Sequence, residues 1–536
     1  MTVPHPVSVA ILSWNGRRHL ETCLEALSLQ HDPGVAWEVL VLDNGSTDGT
    51  GAWLRAHYPE GRLAPPPASP RLRVIESPVN LGFCAGNNRL VAAASGDVAF
   101  LNNDTRPDRG WLAALVRSLA GAPPDVAAVS GKIVDWDGER LDFGRGVMTF
   151  DGHAFQLDFR RPLGSARVPA RGEELLFACG GNMLIRRASF LAVGGFDESY
   201  FAYLEDVDLG WRLWSGGERV IFEPDAIVHH RSNATSDLLG LYNRGFLFER
   251  NAFLTAYKNY EAGLWEQVMP ALLLTFLSRT QTMLADNNPG GGSLRIDPYA
   301  GWIANTAAPA AATPTMPAAA VPATLAPPSP LSPAGIGRKW REHGAREFCR
   351  RAAVKLRAEL QAAMAARRTA RRARRARRDG ARGLGAADAA VLAPMLTDER
   401  TVAQLRALSY LLAHLEAGAA ARAAVQRRRR RSDREIFARF PLYLVPTYPG
   451  DQALFASRGF AAWLPEDLPL ARHTLAEVMD LDPPEGRPPA ETPLKRGREG
   501  DRGDVGGDPI GALSRPREPD RGAVLVPPGS PEGGKE

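Results

Sequence analysis

Three short apolar runs in the first 105 residues each break off into a polar loop, and this pattern limits the fold more than any other feature of the chain. Val7–Ser13 (VSVAILS) leads into Ser13-Trp14-Asn15-Gly16, and Trp37–Leu42 (WEVLVL) into Asp43-Asn44-Gly45-Ser46-Thr47-Asp48-Gly49-Thr50. Asp97–Leu101 (DVAFL) leads into Asn102-Asn103-Asp104-Thr105. Continuous apolar runs of this length suit strands buried on both faces. Between them the spacing turns helical, with Leu20, Cys23, Leu24 and Leu27 on one face and a second helix opening at Asn80-Leu81-Gly82-Phe83. Leu72–Glu76 supplies one more strand. Strands and helices alternating at this pitch predict an α/β fold with a Rossmann-like, mostly parallel, doubly wound sheet. Ligands of such sheets bind beyond the carboxyl ends of the strands, where the three polar loops fall. Each loop taken alone also reads as turn chemistry. No GxGxxG follows the first strand, which excludes a dinucleotide site.

A second signal lies at Phe196–Arg212 (FDESYFAYLEDVDLGWR), where Glu205, Asp206 and Asp208 fall within four residues. Carboxylates this close raise one another's pKa. Two readings stand: a general base, or a helix start whose acids offset the helix dipole. Trp211 and Trp214 are spaced as core residues. Arg212 is placed either for a diphosphate or for an ion pair with a local acid. The 536 residues are 44% hydrophobic and allow several domains. Four scattered cysteines form no CxxC pair, which argues against a zinc or disulfide scaffold and fits a reducing cytosol. The most apolar run, Val268–Leu277, is too short to span a bilayer.

Seven motifs in order then resemble the inverting family 2 glycosyltransferases of GT-A fold, in particular their bacterial rhamnosyltransferase-like branch. They are SWNG (13–16), VLDNGSTDGT (41–50), NLGFCAGNN (80–88), FLNNDT (100–105), CGGNMLIRR (179–187), GGFDESYFAYLEDVDLGWRL (194–213) and EPDAIVHHRSNATS (223–236). The resemblance implies a nucleotide diphosphate sugar as donor and a glycan or lipid-linked saccharide as acceptor. It implies that Ser13, Asn15, Asp43, Asn44, Gly82 and Asn87 line the nucleotide-sugar site. Asn102 and Asp104 would stand at the two ends of the DxD motif and bind both the donor and a divalent cation, Mg²⁺ or Mn²⁺, with His230 completing the metal site. Asn in place of the first Asp leaves one formal charge for the ion. Gly180, Gly181 and Asn182 would form the acceptor-side wall. Glu205 and Asp206 would be the ED pair, with Asp206 the catalytic base. His229 competes with His230 for the ligand role.

The expected layout is a GT-A catalytic domain over 1–260, an amphipathic helical segment over 261–285 and an Ala/Pro-rich linker over 286–337. A basic, Arg-rich helical extension over 338–440, a short segment over 441–481 and a disordered tail over 482–536 would follow. Net charge is +5, yet eight arginines crowd Arg367–Arg378 and five are consecutive at Arg427–Arg431. Basic amphipathic helices predict peripheral contact with an anionic membrane, on its cytoplasmic face. No aromatic residues interleave the arginines, which argues against nucleic acid. The competing reading from another class is a non-catalytic GT-A scaffold in a polysaccharide assembly complex.

Overall fold

A computed structural model describes residues 5–63, 70–231, 241–287, 399–448, 450–464 and 470–478. The chain groups into residues 1–482 and residues 483–536, and the second group lies outside the described residues. The first stretch alternates as the apolar runs require: β1 (Val7–Ser13), α1 (Arg17–Ser28), β2 (Trp37–Asn44), α2 (Thr50–His57), β3 (Arg71–Ser77), α3 (Gly82–Ala93) and β4 (Asp97–Leu101). Next come β5 (Thr105–Pro107), α4 (Trp111–Gly121), β6 (Val126–Asp135), and the short strands β7 (Leu141–Phe143), β8 (Gly146–Met148) and β9 (Ala154–Gln156). β10 (Asn182–Ile185), α5 (Arg187–Ala192), α6 (Glu205–Ser215) and β11 (Arg219–His230) complete the sheet region. α7 (Leu241–Asn259) and α8 (Ala262–Asn287) follow, then α9 (Glu399–Ala413), α10 (Leu415–Arg428), α11 (Asp433–Phe437), β12 (Leu442–Leu444) and β13 (Leu470–Arg472).

The main sheet runs β3-β2-β1-β4-β10-β6-β11-β5, with β7 beside β6. β3, β2, β1 and β4 are parallel, and the chain reverses its lateral direction between β1 and β4. That reversal opens the crevice in which the loops after β1, β2 and β4 meet. The sheet is mixed, because β10 runs antiparallel to both β4 and β6, and β5 antiparallel to β11. Side chains alternate between two cores: Val9 and Ile11 of β1 pack on one face, Ala10 and Leu12 on the other. The α1 face expected from its spacing, Leu20, Cys23, Leu24 and Leu27, is fully buried.

Part of the arginine run at 427–431 is bound to the protein itself. Arg428 donates to Val193 O (3.1 Å), Arg429 to Asn259 O and to Asp433, and the Arg430 N–H to Ser215 O (2.6 Å). Arg431 donates to Gly217 O and Glu218 O and lies over Trp214. Three of the carbonyls, those of Ser215, Gly217 and Glu218, lie at the end of α6. The run at 367–378 lies outside the described residues. Trp211 and Trp214 are wholly buried, against Phe437 and Phe440 of the same C-terminal segment. α8 buries Val268, Ala271, Leu272 and Phe276 in the core and leaves Leu273, Leu274 and Leu277 exposed. Among the described residues no helix is long and apolar enough to cross a membrane.

Candidate active site

Parallel register sets Ser13 beside Asp43 at the ends of β1 and β2. Asp43 is held by one oxygen, which accepts the Ser46 N–H (3.1 Å). Its other oxygen lies so close to Gly51 that a Cβ there would sit 2.7 Å away. Asn15 adopts a left-handed φ of 50°, and its side chain accepts the Thr47 N–H (2.7 Å), which ties the two loops together. Ser13 Oγ accepts Asn103 Nδ2 (3.1 Å) inside the protein. Asn44 does not reach the crevice with a free polar group, which corrects the expectation for it. Asn44 donates to Asn80 Oδ1 and Gly82 O and accepts the Leu81 N–H, so it pins loop 80–82. Asn87 is buried and donates to Phe83 O one turn back. Gly82 has φ +80°, and a Cβ on it would meet the Phe201 ring at 2.5 Å. Glycine there permits a close approach of two loops.

Across the crevice, the β5–β11 ladder sets His230 opposite Thr105. His230 Nε2 lies 3.4 Å from Asp104 Oδ1, and Nδ1 lies 2.7 Å from Asp142 Oδ2. Burial opposes the His230 proton, but the hydrogen bonds to Asp104 and Asp142 outweigh it and raise the pKa to about 10. Asp104 is lowered in turn: burial works against its charge, and His230 more than offsets that. His229 is engaged elsewhere, between Asp108 (3.2 Å) and Trp136 O (3.3 Å). Asn102 packs against Gly181, where a Cβ would come within 2.7 Å of its amide nitrogen. Among the described residues no three His, Cys, Asp or Glu side chains gather into a ready-made metal cage. The donor set nonetheless fits a divalent ion that shares its ligands with phosphates. Asp104 gives a carboxylate and Asn102 a neutral oxygen, and His230 would join as an imidazole nitrogen once the ion displaced the proton facing Asp104, with Asp142 orienting the ring from behind.

The acidic stretch forms the third side. Phe201, Tyr203 and Leu204 all have positive φ (63°, 70° and 63°), an elbow that side chains with a Cβ seldom adopt. Asn251 of α7 holds it by donating to Tyr200 O, Ala202 O and Tyr203 O, at 3.1, 2.8 and 2.7 Å. Arg250 donates to Tyr200 O (2.6 Å), and Phe201 O accepts the Phe83 N–H (2.6 Å) at the start of α3. The elbow delivers Glu205 and Asp206 to the first turn of α6. Glu205 and Asp208 are buried, whereas Asp206 is only half-buried. Asp206 accepts the Gly180 N–H (3.2 Å) and the Val207 N–H (2.9 Å). Burial raises its pKa. Glu205 has one oxygen with no hydrogen-bond partner among the described residues. Burial, followed by the Asp206 charge, raises the Glu205 pKa to about 8.

Asp208 is different in kind. It takes Arg212 (2.8 Å), Lys258 (2.8 Å) and Asn259 (2.8 Å), and Arg212 also donates to Val193 O. Arg212 is thus a structural ion pair. Gly180 serves Asp206 through its backbone N–H, and a Cβ on it would press Phe83 at 3.2 Å. Asn182 is wholly buried, accepting Trp111 Nε1 and donating to Lys132 O and Ala226 O, so it braces the sheet and forms no acceptor wall. Sequence reasoning missed Asp142, Lys258 and Asn251. Asp142 lies 88 residues from His230, and the other two sit on a helix whose spacing shows only amphipathicity.

Comparison with known proteins matches the model of "Glycosyl transferase family 2" to residues 8–194. The N-acetylglucosaminyl-diphospho-decaprenol L-rhamnosyltransferase of Mycobacterium tuberculosis is 33% identical over 249 residues, 42% of this chain and 76% of that protein. The chain belongs to glycosyl transferase family 2. It is a glycosyltransferase of the rhamnosyltransferase-like branch, and its mixed sheet with the crevice at the β1–β4 reversal is the GT-A architecture. The pre-mycofactocin glycosyltransferase of the same organism is 35% identical over 162 residues, 30% of this chain and 32% of that protein. A mannosyltransferase from Pyrobaculum calidifontis, solved with GDP-Man and Mn²⁺, superposes at 19% identity with a TM-score of 0.35, over 56% of this glycosyltransferase and 84% of that chain.

Proposed function

We propose that this glycosyltransferase carries out a metal-dependent, inverting transfer of a sugar, with L-rhamnose the favoured candidate, from a nucleotide diphosphate donor to a lipid-linked saccharide. The observation that carries the proposal is the half-buried Asp206 carboxylate, fixed by the Gly180 N–H, in the same site as the Asp104–His230–Asp142 chain. The donor and acceptor classes follow the printed activity of the mycobacterial relative.

The reaction is a single displacement. The acceptor hydroxyl attacks the anomeric carbon while the bond from that carbon to the diphosphate oxygen breaks. Asp206 takes the hydroxyl proton, and its raised pKa suits it to hold that proton. Asp43 would accept hydrogen bonds from the nucleoside, with Asn15 fixing the loop beside it. A divalent ion bound by Asp104, Asn102 and His230 would neutralise charge on the leaving diphosphate. We place the reaction on the cytoplasmic face of a membrane, because a polyprenyl-linked acceptor is confined to a bilayer.

Nucleotide release tests this, using dTDP-, UDP- and GDP-sugars with membrane lipid extract as acceptor. Mg²⁺ or Mn²⁺ is present at first and is then removed with EDTA. Turnover of one donor, abolished by EDTA, is the expected result. Donor binding without turnover across the panel would favour the scaffold reading, which the replacement of an acid by Asn102 motivates. Turnover that persists in EDTA would remove the metal from the proposal.

A further inference from the structure

Arg106 and Arg231 are diagonal neighbours on one face of the β5–β11 ladder. Arg106 pairs with His229, and the Arg231 N–H donates to Asp104 O (3.1 Å). Both rest on one indole, that of Trp136 at the end of β6. The guanidinium carbon of Arg231 lies 3.7 Å from the ring centroid and that of Arg106 4.9 Å. Arg106 Nη2 and His229 Nδ1 both sit 3.3 Å from the Trp136 carbonyl oxygen, so the backbone that carries the ring is held from two directions.

Two like charges on one ring repel, and cation–π attraction to the indole holds both there. Elsewhere in this protein arginines meet carboxylates: Arg167 with Asp158, Arg219 with Asp125, Arg279 with Asp451. Among the described residues neither Arg106 nor Arg231 forms such a pair. Arg18, on the first turn of α1, adds a third positive charge felt at Arg231. The neighbouring acid, Asp104, is engaged by His230. A guanidinium lying flat on an aromatic ring keeps its N–H edge available for planar, two-point bonds to phosphate oxygens.

We propose that Arg106 and Arg231, carried on Trp136, form a binding site for the diphosphate group of a substrate that works without a metal ion. The identity of the substrate rests on the glycosyltransfer reading, whereas anion binding does not. A nucleotide donor and a polyprenyl-linked acceptor both present this group, and kinetics separates them.

The first experiment is calorimetric titration of the full-length protein with inorganic pyrophosphate in EDTA. Each of Arg106→Gln and Arg231→Gln is expected to weaken binding about tenfold, and the double variant about 100-fold. Arg106→Lys with Arg231→Lys keeps the charge but loses the planar fork, and is expected to fall between. Wild-type affinity in the double Gln variant would overturn the proposal, as would failure of the wild type to bind pyrophosphate without metal. A raised donor KM in Arg231→Gln assigns the site to the donor, and a raised acceptor KM assigns it to the acceptor. An unchanged KM for both would overturn the substrate role. Pyrophosphate binding with no turnover on any donor would sink the glycosyltransfer reading and leave the anion site standing.

Discussion

Asp206 and Asp208 lie two residues apart on one helix, and their surroundings treat them in opposite ways. Asp208 is sealed in and meets Arg212, Lys258 and Asn259. Burial works against its charge, but the two cations more than compensate, so its pKa falls. Asp206 and its neighbour Glu205 meet backbone N–H groups and no cation, and burial raises both. A buried charge is stable when an opposite charge is supplied, and becomes reactive when it is withheld. Asp151 extends the lesson. It is buried like Glu205 yet ends well below the ordinary carboxylate range, because His153 and Arg279 offset its burial. On α6, the aspartate without a cation is the half-buried one.

The contrast is broken most directly at its reactive end. Asp206→Asn removes the proton acceptor and keeps the shape, so kcat should fall by about 10²–10⁴ while donor affinity stays within about twofold. Single-turnover kinetics alongside donor titration measure both, and near wild-type turnover would end the base assignment. At the neutralised end, Asp208→Asn leaves Arg212 buried without its counter-charge and should cost about 3–5 kcal/mol in denaturant unfolding. A loss below about 1 kcal/mol would mean that the pair is not what keeps Asp208 ionised. The smallest effect is expected for Glu205→Gln, and it depends on pH. The Glu205 pKa is raised from 4.5 to about 8, so between these values the folded state binds the extra proton. The wild type therefore loses stability as pH rises through that window, and Gln removes the loss. The variant should gain on the wild type by about 1–2 kcal/mol between pH 5 and pH 8, since Asp206 shares the shift. Parallel stability curves across that range would show Glu205 to be ionised throughout.

The strands and the crevice were legible because strands buried on both faces leave uninterrupted apolar runs, and the loops after them have to be polar. The direction of β10 was not legible. NMLI packs equally well parallel or antiparallel, and only its neighbours decide. Asn44 and Asn182 misled for a chemical reason: the amide that binds a ligand also braces a loop or a sheet. Asp206 stood out because its signal, three acids within four residues, is local. Asp142 and Asn251 did not, because each acts on a partner 88 or about 50 residues away, and nothing in the intervening sequence marks the meeting. Composition alone did not show that Arg428, Arg429 and Arg431 of the 427–431 run donate to backbone carbonyls of the protein itself.

Those contacts also fix an order of events during synthesis. The indoles of Trp211 and Trp214 are made early, but the aromatic residues that cover them, Phe437 and Phe440, are made more than 220 residues later. Until that segment leaves the ribosome, each indole of the acidic helix lacks part of its aromatic cover. A chain cut at residue 260 would keep that half-finished surface for good, and the most useful boundary for producing a well-behaved fragment lies beyond Phe440.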